Sequence, residues 1–172
     1  MRLSPARVIV VVALILTAYL IQSALLARMG LPGAAPDLVL VTVIGLAMAV
    51  GPTAGTAIGF ASGVLIGLAP PGAGPLGQTA AVYAVIGFIS GHLTLAPGRT
   101  PRSVAVAVAG LCAASVVSMA VLGLMLGSHV ISAPHVLWLT VTTAVYGFVL
   151  AYVALPAVGY LLCGAVDQGA WA

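Results

Sequence analysis

The sequence has no lysine and no glutamate; its charged residues are five arginines and two aspartates, 4% of 172 positions. A soluble domain covers its surface with charge at roughly a quarter of its residues. With 63% hydrophobic residues and a mean hydropathy of +1.30, this chain is suited to meet lipid over much of its surface.

The same absences remove most chemistry. Without lysine there is neither a Walker-type phosphate loop nor a Schiff base, and the chain contains no G-x-S-x-G elbow and no H-E-x-x-H pair. Cys112 sits inside one apolar run and Cys163 at the end of another, which gives no disulfide framework and no metal-ligand spacing. The net charge of +3 comes from five scattered arginines, not from a basic stripe able to track phosphates, so nucleic acid is excluded as a partner. The expectation is a non-enzyme with no cofactor and no metal site.

What remains is apolar and helical. Apolar runs cover 8–26, 38–50, 53–69, 79–96, 103–126 and 136–163, separated by Pro- and Gly-rich breaks too short for a soluble domain. They predict an all-α integral membrane protein, a single domain over 1–172 that bundles about six transmembrane helices. The first run follows Arg2 and Arg7 and fits a signal peptide as well, but its length and the five runs behind it favour an uncleaved first helix. Runs two and three are short. A re-entrant hairpin is one reading of them; the other, preferred here, is two short helices joined by a tight Gly51-Pro52 turn, with Pro52 at a first helical position where no donor is wasted. Pro156 predicts that the last helix kinks or ends early.

Arginine placement sets the orientation. Six spans with both termini in the cytoplasm put Arg2, Arg7, Arg99 and Arg102 inside and Arg28 outside; the reverse orientation would put four arginines outside. This topology also separates the two carboxylates, Asp37 at the outer interface and Asp167 in the cytoplasmic tail, so they form no catalytic pair.

The remaining polar residues are few. His92, His129 and His135 have no acid or cysteine nearby in sequence and read as loop and interface imidazoles. Ser90 and His92, two apart on a helix, point away from each other. The tyrosines and Trp138 read as an interfacial belt and bundle packing. Asp37, after Pro36 at the entry to run two, reads first as a cap on the amides of the first turn; the functional readings are a polar contact to a partner or to Arg28, or a proton-coupling carboxylate, for which its interfacial place is a poor fit. Glycines recur at every fourth position, Gly51, Gly55, Gly59, Gly63 and Gly67. They form a slowly winding groove into which another helix backbone fits, inside the bundle or on another protein. Gly87 with Gly91 and Gly123 with Gly127 repeat the spacing once each.

Two stretches carry a family resemblance: PDLVLVTVIGLAMAVGPTAGTAIGFASGVLIGLAPP from Pro36, then PLGQTAAVYAVIGFISGHL to Leu93. Together they resemble MreD, the rod shape-determining membrane protein family. The shared features are Pro36-Asp37, Gly51-Pro52, Ala54-Gly55, Gly59-Phe60, Gly63, Pro75-Leu76-Gly77 and Gly87-Phe88 through Gly91, about a third of the chain. One position departs: Gly67-Leu68 stands where family members commonly carry an acid in a Leu-Asp-Leu step. The resemblance implies a multi-pass protein of the bacterial cell membrane. It would be a scaffold subunit of the cell-elongation and peptidoglycan-synthesis machinery, binding an MreC-like bitopic protein and, through it, MreB, RodA and a penicillin-binding transpeptidase. The alternative is the substrate-binding membrane component of an energy-coupling factor transporter, which needs convergent polar groups; Gln22, Gln78, Ser118, Thr140, Thr142 and Thr143 are the candidates for them.

Overall fold

A computed structural model describes residues 5–24, 37–68, 77–93, 100–127 and 133–167. Among them are six helices and no strand: α1 (Pro5–Ala24), α2 (Leu38–Val50), α3 (Pro52–Leu68), α4 (Gln78–His92), α5 (Pro101–Met125) and α6 (Ala133–Asp167). Pro36, Arg2, Arg28, Arg99 and His129 lie outside the described residues. Arg7 lies in α1, and Arg102 is exposed at the start of α5.

The shortest apolar helix is the centre of the molecule. Every residue of α2 from 39 to 48 is buried, and α2 touches each of the other five helices. A helix that is apolar on all sides has no face to offer water and is stable only when surrounded. Its one buried hydroxyl, on Thr42, donates back to the Leu38 carbonyl at 2.8 Å. From α1, Val11, Ile15 and Ala18 are buried at the i, i+4, i+7 spacing of a single helical stripe and join the same core. α3 pairs chiefly with α4, and α5 with α6.

The helix ends follow local chemistry. α2 ends where Gly51 adopts φ +94°, a conformation that side chains other than glycine rarely take, and Pro52 opens α3. Thr100 caps α5, its hydroxyl accepting from the Ser103 amide at 3.3 Å ahead of Pro101 in the first turn. α4 is shorter than its apolar run: it closes at His92, with the Leu93 amide donating to Ser90 at 3.0 Å.

For the last helix, one of the two outcomes expected at Pro156, an early end, is excluded: the helix continues to Asp167. The proline removes one backbone bond, to the carbonyl one turn earlier, while Ala151, Ala154 and Val158 stay buried against the core on both sides of it. Around Pro156 a cavity of about 470 Å³ opens between α2, α5 and α6.

Two segments, Pro101–Met125 and Pro134–Tyr160, are long and apolar enough to cross a membrane; Val8–Ala24, Leu38–Val50 and Pro52–Leu68 are apolar but shorter. The outward surface of the two long segments is apolar as well. Val106, Leu124, Leu137 and Val153 are all more than half exposed.

Candidate functional site

The first amides of a helix have no partner within it, and inside an apolar bundle each must find one. At the start of α2 two side chains meet this need. Asp37 is the cap residue, and its Oδ1 accepts the Leu40 amide at 3.0 Å. Gln22, reaching across from the last turn of α1, accepts the Val39 amide on Oε1 at 3.0 Å. The second carboxylate oxygen of Asp37 accepts the hydroxyl of Tyr83 from α4. The Gln22 side chain also faces the carboxylate, and buried Cys112 of α5 is close enough to feel its charge. One acid thus ties α1, α2 and α4 together at the end of the bundle where α2 begins.

Of the readings of Asp37 left open by the sequence, the geometry shows the cap; Arg28 lies outside the described residues, and the second carboxylate oxygen is taken by Tyr83. Gln22 and Tyr83 escaped the sequence reading, which placed the first among ordinary polar residues and the second in a belt. The signal that finds them is their setting: a polar side chain within an apolar run needs a partner, and Asp37 is the described acid with oxygens to offer.

Gln22→Ala tests the cluster at its edge. Leaving the buried Val39 amide unpaired is expected to cost about 1–3 kcal/mol, read as a lowered unfolding midpoint in detergent. An unchanged midpoint would show that water reaches the amide.

A second feature is the α3–α4 seam. A methyl group added at Gly55 would stand 2.7 Å from the Gly87 carbonyl oxygen and 2.7 Å from the Ala47 methyl. Added at Gly63, it would stand 2.5 Å from Ala80 Cα; at Gly59 it would run into the carbonyl of Tyr83. Gly87 and Gly91 answer from the other side, abutting the Gly55 backbone and Pro52 respectively. The contacts climb α3 one turn at a time while descending α4, and backbone meets backbone throughout. The structure therefore sets three of the five spaced glycines against α4. Gly51 and Gly67, the ends of the series, face open space.

The other polar candidates do not converge. Gln78 donates to the Met119 carbonyl at 2.8 Å, Thr140 to Val136 at 2.8 Å, and Thr142 to Trp138 at 3.0 Å. The buried Thr143 hydroxyl has no protein partner among the described residues. Ser90 is buried and donates to the Ile86 carbonyl at 2.8 Å, while His92 is exposed and stacks edge-on against Phe88 at 4.7 Å. Among the described residues no three His, Cys, Asp or Glu side chains come together.

Chemically, the Gln22–Asp37–Tyr83 cluster is an acceptor filled by its own protein's donors. It clamps helices, with each carboxylate oxygen accepting from a donor of the same chain. In comparison with known proteins, the chain matches no family model, no curated protein and no solved structure.

Proposed function

We propose that the chain is a six-span protein of the bacterial cell membrane with both termini in the cytoplasm. In this reading it is a non-enzymatic scaffold subunit of the cell-elongation machinery, binding an MreC-like bitopic protein and, through it, MreB, RodA and a penicillin-binding transpeptidase. The observation that supports it is a coincidence of residues. Asp37, Gly55, Gly59, Gly63, Gly87 and Gly91, which carry the resemblance to the MreD family, are the residues that clamp α2 to α4 and close the α3–α4 seam. A rigid helical body with apolar flanks and little mass outside the membrane acts through surfaces in the plane of the lipid.

The carrier alternative needs polar groups gathered around a substrate. The cavity at Pro156 offers a single polar side chain, Tyr152, among glycine, alanine, proline and aliphatic neighbours. That lining suits no polar solute.

Mild-detergent purification of the tagged chain from its native host, with mass spectrometry of the co-purifying proteins, decides between the two readings. The expected result is an MreC-like protein together with the transpeptidase and RodA. Recovery of a membrane coupling subunit with paired ATPases would replace the scaffold by a transporter component.

A further inference from the structure

The cavity between α2, α5 and α6 has a floor and a mouth. Gly45, Val104 and Val158 are buried at its base, while Pro101, Tyr152 and Gly159 line the approach, with Pro101 and Tyr152 exposed. Its volume of about 470 Å³ falls within the range of pockets that hold small molecules, and its walls are almost entirely apolar. The room comes from particular residues. A methyl group built at Gly45 would only reach ordinary contact with Val158, at 3.7 Å, and a side chain built at Gly159 would meet nothing within 4 Å. An open apolar slot of this size in a bundle with apolar flanks is filled by a chain as apolar as its walls.

The charge at the mouth selects the rest of the occupant. α5 starts at this end with its positive dipole terminus, and Arg102 follows the rim residue Pro101 and is exposed. Arg99 stands three positions earlier in the sequence. Of the chain's two acids, Asp37 sits at the start of α2, whereas the cavity lies along the far half of that helix, at Gly45 and Ala49; Asp167 closes α6 eight positions beyond Gly159 and offsets one of the two arginines, Arg99 and Arg102, that the sequence places ahead of and within the first turn of α5. An arginine at an interface attracts anionic headgroups, which are concentrated in the cytoplasmic leaflet.

We propose that this cavity is a binding site for one anionic phospholipid, an acyl chain seated along Gly45, Val158 and Gly159 and the phosphate held at Arg102 and the start of α5. The site rests on the membrane placement proposed above and is independent of the elongation reading. It gives the chain a means of sensing or recruiting acidic lipid on the side where α5 begins.

The probe is phosphatidylglycerol carrying a photoreactive group near the end of one acyl chain, presented in vesicles to the wild-type full-length chain and mapped by peptide mass spectrometry. Crosslinks are expected on α6 around Tyr152–Gly159 and on the first turns of α5. Crosslinks spread evenly over the outward faces of all the helices would overturn the site. Variants give the second arm. Gly159→Phe fills the cavity and is expected to lose the lipid that native mass spectrometry finds on the wild type. Gly110→Phe, built at an exposed glycine of α5 with nothing within 4 Å, is expected to keep it. Arg102→Gln is expected to keep the chain but lose the preference for phosphatidylglycerol over phosphatidylcholine. Retention of lipid by Gly159→Phe, equal loss in both glycine variants, or recovery of a polyprenyl phosphate or a protein in place of phospholipid would each refute the proposal. Carbonate washing separates the premises: a chain stripped from membranes ends the membrane placement, and a chain that stays but crosslinks evenly ends only the lipid site.

Discussion

Gly59→Leu is expected to yield no monodisperse protein in mild detergent, and Gly59→Ala is expected to be visibly destabilised. The reason is the material opposite. A Cβ at Gly59 meets the carbonyl carbon of Tyr83 at 2.8 Å and the Cα of Ala84 at 3.3 Å, and backbone cannot rotate aside as a flexible side chain can. Overpacking of a well-packed core costs about 1–3 kcal/mol per site, and a clash with main chain belongs at or above the top of that range. A seam held open by a methyl group loses the close van der Waals contact that joins α3 to α4, and in the membrane placement proposed above no hydrophobic drive would replace it. Gly67→Leu provides the control, since a side chain there meets nothing within 4 Å. Size-exclusion profiles and thermal unfolding of the three variants give the answer. Equal behaviour of Gly59→Leu and Gly67→Leu would mean that α3 and α4 are not seamed along this face.

Asp37→Ala is the second large effect. A cap alone is worth about 1 kcal/mol. Here the substitution also strands the Tyr83 hydroxyl and exposes the Leu40 amide to an apolar setting, and each unpaired buried group adds about 1–3 kcal/mol. The Leu40 amide bond is the cap itself, so the two losses together are expected to cost about 2–4 kcal/mol, a large part of a marginal stability. Asp37→Asn keeps one carbonyl acceptor, for the Leu40 amide, and sets an NH2 donor against the Tyr83 hydroxyl, so it should recover part of the loss. Tyr83→Phe removes one partner, so the double variant Asp37→Ala/Tyr83→Phe should be less destabilised than the sum of the single changes, the signature of a direct interaction. Strict additivity would place the Tyr83 hydroxyl on some other acceptor.

The two predictions act on the same body from different directions. The glycine seam brings α3 and α4 together along their lengths, and the Asp37 cluster fixes α4 to α2 and α2 to α1 at one end. Stiffness of this kind fits the scaffold proposed above, because a surface preorganised before its partner arrives binds at a lower ordering cost.

Composition and punctuation carried the fold class and the rough positions of the helices. The apolar content could be buried only in lipid or in other helices. The breaks at Gly51-Pro52 and ahead of Pro101 are residues that end or start helices through their own backbone preferences, so they act locally and can be read locally. The glycine spacing likewise announced a close approach by another backbone, because periodicity along a helix is a property of one segment.

Which backbone approaches could not be read that way. Gly51 and Gly67 share the spacing of Gly55, Gly59 and Gly63, yet a side chain at either would meet nothing within 4 Å: Gly51 is the positive-φ turn residue ahead of α3, and Gly67 lies a turn past the contact of Gly63 with the first residues of α4. The same limit hid Gln22 and Tyr83 as partners of Asp37. They lie 15 and 46 positions away in sequence, and nothing in a single strand of text states that α1 and α4 bring them to one carboxylate. Pro156 marked a weak point in a helix, but the decision to continue through it belongs to the neighbours that hold both sides, as does the cavity left beside it. Local backbone chemistry is written residue by residue along the chain, and so the sequence by itself determined where helices begin, end and tolerate contact. Partnership depends on which segments pack side by side, a property of the whole assembly, and only the tertiary structure decided it.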